Sequence, residues 1–334
     1  MIADSHRELL YNQPICAWQL SNVMELIRGI HNILSSHHGC VLTIGNFDGV
    51  HRGHAQVIAN LVQKAKQLSL PSTLMTFEPQ PQELFSGENA PARLSLLRDK
   101  VILLDELGVE RLVCVNFNRA FADQPAEHFI EELLVRKLGV KYLVIGDDFC
   151  FGKGRKGNFE MLMQAGARYG FTVVSTQSFM LGSQRVSSTA VREQLAKGNL
   201  EQARRLLGHP FTLSGRVAHG QKIGRTIGFP TANIALKRNV VPVRGVFAVK
   251  LYWDDSDIYE GVANIGFRPT VNGQVCQLEV HLFDFDDDIY GKHVEVELVA
   301  KLRDEQPFDS LDALKQQILN DANEARALFG NDAG

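Results

Sequence analysis

The sequence predicts two modules: a parallel β-sheet covered by helices on both faces, then an antiparallel barrel or sandwich closed by one long helix. Three observations predict them. From Cys40 onward short apolar runs alternate with longer helical runs, the signature of β-α-β units. After about residue 205 the helices stop and strand-like runs follow at short spacing, the pattern of an antiparallel barrel or sandwich. The chain has 334 residues, more than one ordinary core holds, so two domains are expected.

Each element has its own justification. CVLTIGNF (40–47) is a buried strand, and GHAQVIANLVQKAKQL (53–68) is an amphipathic helix with Val57, Leu61, Val62, Ala65 and Leu68 on one side. Strands follow at STLMTF, RLVCVNF, YLVIG and FTVVSTQ, separated by helices at LSLLRDKVILLDELG, AEHFIEELLVRKLG and FEMLMQAGARYG. STAVREQLAKGNLEQARRLLGH (188–209) is helix-rich and bridges the modules. The second module offers FTLSGRVAHG, TANIAL, GVFAVKLYW, IYEGVANIGF, QLEVHLFDF and HVEVELVAKL as strands, and SLDALKQQILNDANEARALF as the closing helix. There is no internal repeat. Residues 1–23 lack periodicity and are expected to be a disordered extension; the domains are then 24–203 and 204–334.

Composition narrows the function classes. Hydrophobic residues make up 45% and charged residues 22%, the profile of a soluble globular protein. A net charge of −3 argues against nucleic-acid binding. No apolar run reaches the roughly 20 residues of a membrane span, and the N-terminus lacks a signal peptide. The five cysteines are scattered, without CxxC spacing. Reduced thiols in the cytoplasm fit this better than disulfides or zinc.

The stretch TIGNFDGVHRGHAQVI puts Gly45, Phe47, Gly49, His51 and His54 at the junction of a strand and a helix. Such a junction offers free backbone N–H groups and the positive end of a helix dipole, an arrangement suited to phosphate. Two histidines at i and i+3 can reach one ligand together. Taken alone, they could equally be solvent-facing residues of a βα loop. A second glycine-rich run, GDDFCFGKGRKG (146–157), also follows a strand, and VSSTAVR (186–192) opens a helix that Ser188 or Thr189 could cap.

Together, in this order, these three runs resemble the nucleotidyltransferase superfamily that releases pyrophosphate. The spellings FDGVH, FEPQP (77–81) and FNRAFAD (117–123) resemble its flavin adenylyltransferase branch, as found in bacterial bifunctional riboflavin kinase/FAD synthetases. The resemblance covers residue 24 to the C-terminus. It implies a Rossmann-like nucleotidyltransferase domain in which His51 and His54 face the ATP phosphates. Ser188, Thr189 and Arg192 would clasp them from the other side, and Gly152 and Gly157 would let the second loop pass close to the nucleotide. The acceptor would be FMN. A phosphomonoester is largely ionised at neutral pH, so this chemistry needs donors, cations and Mg²⁺ rather than a strong base. Asp48 reads as a turn-stiffening residue, and Cys150 as a filler.

SGRVAHGQKIGRTIGFPTAN (214–233) resembles the riboflavin kinase signature, and GVFAV, NIGFRPT, LEVHLFDFDDDIYGK and LRDEQPF follow in that family's order. The implied fold is an antiparallel β-barrel with a terminal helix. Gly220, Gly224, Gly228, Pro230, Thr231 and Asn233 would bind ATP, and the oxygens of Thr231 and Asn233 suit Mg²⁺. Arg303 would lie near the flavin. Glu279 would be the base. By pattern alone Glu279 is a solvated strand residue, since Leu278, Val280 and Leu282 take the other face; the alcohol of riboflavin supplies the chemical reason for a carboxylate. The expected partners are thus riboflavin, FMN and ATP. The competing readings are an enzyme with one active half, a different phosphorylated acceptor, and a flavin-binding carrier with degenerate sites.

Overall fold

The structure, a computed structural model, describes residues 24–176, 179–182, 184–219, 228–236, 238, 240–253, 257–270 and 273–331. It divides into two compact units. One comprises Leu97–Val186 with the described residues up to Pro91; the other comprises Ala92–Leu96 and the described residues from Ser187.

The first unit is built on β1 (Glu25–Arg28), β2 (Cys40–Ile44), β3 (Ser72–Glu78), β4 (Arg111–Asn116), β5 (Val140–Ile145) and β6 (Thr172–Ser175). They form one sheet in the order β1-β4-β3-β2-β5-β6, and every neighbouring pair is parallel. A parallel sheet buries both faces, and all five residues of β2 are buried. Helices α1 (Arg52–Leu68), α2 (Pro81–Ser86), α3 (Leu97–Glu106), α4 (Arg119–Ala122), α5 (Ala126–His128, continued by π-helical turns over Phe129–Lys137) and α6 (Phe159–Tyr169) connect the strands. Leu42, Met75, Val113 and Leu143 share a core with Leu133 and Leu134 after α5 and Leu162 of α6. Val41 and Val144, on alternate positions, pack against Leu61 and Ala65 of α1. The expected two-faced covering is therefore present.

One strand of this sheet was missing from the expectation. β1 has only four residues, ELIR, too few to display a period. Charge holds it at the sheet edge: the Arg111 Nε of β4 donates to Glu25 at 3.0 Å, and Glu25 also meets the His37 ring at 2.8 Å.

A small hairpin, β7 (Met180–Leu181) and β8 (Gln184–Arg185), ends the first unit. In the second unit α7 (Ser188–Ala196) and α8 (Leu200–Leu207) precede β9 (Thr212–Ala218), β10 (Ala232–Ala235), β11 (Gly245–Trp253), β12 (Asp257–Thr270), β13 (Gly273–Leu282) and β14 (His293–Arg303). These six strands close into a barrel, order β10-β13-β12-β11-β14-β9, with every pair antiparallel. Closure removes the exposed edges that an open sheet would leave. The barrel form of the two all-β alternatives is the one adopted.

The barrel interior is apolar. Phe247, Val249 and Leu251 of β11, Ile265, Leu278, Val280 and Val296 are all fully buried. The alternate residues Val246 and Ala248 face outward, where α9 (Leu311–Asn331) covers them with Ala322, Ala325 and Phe329. This double burial explains why GVFAV, the first five residues of β11, is an unbroken apolar run.

A boundary at 203/204 would pass through α8, whose Leu200 and Ala203 are buried together with Leu206 and Leu207. By packing, α7 and α8 group with the barrel. A fragment starting at Ser187 is therefore expected to melt at least about 5 °C above one starting at Arg204, given the stability each buried aliphatic side chain brings. Differential scanning calorimetry of the two fragments checks this; equal melting temperatures would restore the boundary inside α8.

Candidate active sites

In the first unit the strand order reverses between β2 and β5. At such a switch point the loops leaving the two carboxyl ends diverge and open a crevice. The loop after β2 holds Gly45, Phe47, Gly49 and His51; the loop after β5 holds Gly152 and Gly157.

The first loop is contorted. Phe47, Gly49 and Val50 have positive φ values of 47°, 78° and 39°, which is uncommon for the two non-glycine residues. Left-handed residues in succession turn backbone N–H groups to one side and form anion-binding hollows. His51 caps α1: its Nδ1 accepts from the His54 N–H at 3.2 Å. Both histidines therefore sit in the first turn, and their rings stack at 3.6 Å with 12° between planes. Gly53 makes room for this, because a Cβ there would lie 3.2 Å from the His51 ring. Asp48 is 3% exposed, as a residue inside the turn should be.

Burial and the neighbouring His51 and Lys100 charges hold the His54 pKa well below its usual 6.5. His54 as a whole is partly exposed, but its Nδ1 is buried and has no hydrogen-bond partner among the described residues. The unliganded ring is thus neutral at pH 7, where the sequence allowed a cation. A polyanion at the mouth would reverse that balance.

In the second loop the glycines have a packing reason of their own. A Cβ on Gly152 would lie 2.7 Å from the Ala126 backbone, and one on Gly157 would lie 2.5 Å from the Phe151 ring. Phe151 and Gly157 exchange two backbone hydrogen bonds and close the loop as a small hairpin. Cys150 makes only a weak S–H contact to the Asp148 carbonyl at 3.5 Å. Aromatic rings line this end of the sheet: Phe77 meets Phe117 at 5.5 Å, Phe117 meets Phe121 at 5.8 Å, and Phe129 meets Phe151 at 5.1 Å. The sequence runs FEPQP, FNRAF and FCF carried that signal at three strand ends.

Helix α7 belongs to the second unit. Its cap is Ser187, whose hydroxyl accepts from the Ala190 N–H at 3.2 Å, so the expectation of Ser188 or Thr189 as cap is corrected by one or two residues. The reason is steric: Ser187 alone has the extended φ/ψ of a cap, while Ser188 and Thr189 are already helical. Ser188 and Thr189 remain in the first turn, and the Arg192 Nε is anchored on the Ala92 carbonyl at 2.6 Å.

On the barrel, cross-strand register brings the expected kinase residues together. Glu279 lies directly opposite Asn233 of β10 on one side and Asn264 of β12 on the other. Directly opposed residues share a face, so Asn233, Glu279 and Asn264 form one polar row, with Thr231 two residues from Asn233. Leu278 and Val280, on either side of Glu279, point into the barrel with no exposure. The His281 Nδ1 donates to the Pro230 carbonyl at 2.9 Å, which fixes its tautomer and ties β13 to the segment leading into Thr231. Gly228 has a φ of 87°. Gly220 and Gly224 lie outside the described residues. Arg303 donates through Nε and Nη2 to Asp321 of α9 at 2.8–3.1 Å, and Asp321 is almost fully buried. Much of its guanidinium is thus committed to holding α9 on the barrel.

Two family models match the chain, FAD synthetase over residues 33–190 and riboflavin kinase over residues 207–329. A bifunctional riboflavin kinase/FMN adenylyltransferase of Escherichia coli K12 is 55% identical over 92% of this chain and 98% of its own length. This chain belongs to that bifunctional family. The Haemophilus influenzae member is 54% identical over 92% of this chain and all of its own length. A crystal structure described as a macrolide-efflux protein from Streptococcus pneumoniae has the same two-part fold. Its TM-score is 0.76 and its identity 30%, over 91% of this chain and 99% of the other. Among the described residues, no helix is long and apolar enough to cross a membrane.

One residue of this corner escaped the sequence reading. Lys100 on α3 is 1% exposed, and its Nζ donates to the Asn46 carbonyl beneath the first loop at 2.6 Å. A lysine in LLRDKVILLDE reads as a solvated helix position. A buried, polar-bonded lysine could be suspected only from its place between apolar neighbours, Leu97 and Leu104.

The depressed His54 pKa has a consequence for stability. The unfolded chain takes up the proton first as pH falls, so this group's contribution is complete above about 6.5 and is lost below it. His54→Gln is expected to flatten the fall in unfolding free energy between pH 6.5 and 5, read by urea titration at each pH. In the unaltered protein the His54 ring signals should show no titration between pH 6 and 8 until Mg²⁺-ATP is added. A ring that titrates near 6.5 without ATP would contradict the electrostatic picture.

Proposed function

We infer that this chain performs two consecutive ATP-dependent steps of flavin cofactor synthesis, each in its own unit. The observation that carries the reading is the contrast between the two sites. The first presents stacked histidines and backbone donors at a helix start. The second presents a carboxylate, Glu279, in register with the amide of Asn233.

In the barrel unit the terminal hydroxyl of riboflavin attacks the γ-phosphorus of ATP. A new O–P bond forms, the bond to the β-phosphate oxygen breaks, ADP leaves, and the hydroxyl proton passes to Glu279. Thr231 and Asn233 offer a hydroxyl and an amide oxygen on the same face. These are hard donors that fit Mg²⁺, which when bound screens the phosphate charge. His281 holds the Pro230 carbonyl, and with it the approach of Thr231 to Glu279. The N–H groups of Arg303 not taken by Asp321 and Asp304 are available to the flavin.

In the sheet unit a phosphate oxygen of FMN attacks the α-phosphorus of ATP, FAD forms and pyrophosphate leaves. The nucleophile is already an anion, so no base is needed. His51, His54 and the N–H groups of the first loop stabilise charge on the phosphates. The aromatic rings after β3, β4 and β5 supply faces on which a flat isoalloxazine can stack. Four described cysteines are free thiols, and burial pushes Cys40 and Cys276 up to about 11. Unreactive reduced thiols support a cytoplasmic enzyme without cysteine chemistry.

Incubation with riboflavin, ATP and Mg²⁺ is expected to yield FMN and then FAD by chromatography; a protein yielding neither would overturn the reading. His51→Ala or His54→Ala should lower FAD formation from supplied FMN by about 10²–10³ and leave riboflavin phosphorylation in place. Equal loss of both activities would point to misfolding. Glu279→Gln should lower riboflavin phosphorylation by about 10²–10⁴ with FAD formation from FMN intact. Near-normal phosphorylation by that variant would return Glu279 to the solvated-strand role.

A further inference from the structure

Lys100 is among the largest fully buried side chains of the protein. An ammonium removed from water must be bonded, and its Nζ donates to the Asn46 carbonyl at 2.6 Å and the Thr76 hydroxyl at 3.4 Å. The Thr76 hydroxyl donates to the same Asn46 carbonyl at 3.3 Å. Two donors, from α3 and β3, thus pull one carbonyl inward.

In a trans peptide the carbonyl and the following N–H point in opposite directions. The Asn46 carbonyl points toward the buried Lys100 and Thr76. The Phe47 N–H is therefore turned the other way, out of the core. Phe47 then adopts its φ of 47°, a conformation that persists only where surroundings enforce it. Lys100 also lies close enough to His54 to bear on its charge. Lys100, His51 and His54 bear on one another's charge in this corner, and the buried Asp48 belongs to the same loop.

We propose that Lys100 is a positioning residue for adenylyl transfer: through the Asn46 carbonyl it aims the Phe47 N–H at the ATP phosphates. Its charge also lies beneath the polyanion, in a medium where it is weakly screened. The inference rests on the reading that the first unit binds ATP for transfer to FMN, and it adds a residue from outside the recognised motifs.

Lys100→Met and Lys100→Arg, made in the full chain, test it. With supplied FMN, Lys100→Met is expected to raise the KM for ATP about tenfold or more, the scale of a lost bond to a charged group, and to leave the KM for FMN within about twofold. Lys100→Arg keeps charge and donors and should recover most of the ATP affinity. A folded Met variant with the original KM for ATP overturns the proposal. Should the Met variant fail to fold, Lys100→Gln replaces it, and equal KM values for ATP in the Gln and Arg variants overturn the proposal. If the unaltered protein forms no FAD, the functional reading falls. Calorimetry with Mg²⁺-ATP then still decides the role of Lys100, since the Met variant should weaken or lose one of the original binding events, and unchanged binding overturns it.

Discussion

The reversal of strand order between β2 and β5 is the constraint on which the first unit depends. Connections in a parallel sheet are right-handed and cross to one face or the other, so the two carboxyl ends at a reversal send their chains apart. The gap cannot be filled by either helix. It receives the start of α1 instead, with its unsatisfied N–H groups, and the contorted turn that leads into it. The stacked histidines, the small glycine between them and the buried lysine all serve the geometry of that corner.

The barrel solves a different problem with different means. The interior of the six-stranded barrel is packed with apolar side chains. Polar groups such as Glu279 stand on the outer wall, and cross-strand pairing is what assembles the row of Asn233, Glu279 and Asn264 from residues distant in sequence. The two units also differ in electrostatics. His54 is held toward its neutral form by burial and neighbouring charge, whereas Glu279 stands in an uncharged row beside Asn233 and Asn264.

The sequence revealed much of this because local and global signals agreed. β2 and α1 were legible from an apolar run, a glycine turn and a 3.6-residue period in succession. The six barrel strands were legible as runs, although only the pairing could distinguish a barrel from a sandwich. β1 was not legible, since four residues carry no period and a Glu25–Arg111 pair leaves no local trace. Ser187 was passed over as the cap of α7 because three consecutive hydroxyl residues satisfy the same rule and only backbone angles choose between them. Lys100 was invisible for a further reason: burial of a charge is decided by the turn packed above it, 54 residues earlier. The spacing brings His51 and His54 together as a stacked pair, but the depressed pKa of His54 comes from burial and neighbouring charge, which spacing does not encode.

The alternation of β13 carries one more consequence. Leu278, Glu279 and Val280 point in, out and in. A slip of one residue against its neighbours would turn every side chain to the opposite face and drive the Glu279 carboxylate into a dry aliphatic interior, while exposing two apolar side chains. Such a state carries a desolvation cost that no partner inside the barrel relieves. The hydrophobic interior thus locks β13 into a single frame, and the same packing that holds the fold together keeps the Glu279 carboxylate on the outer wall.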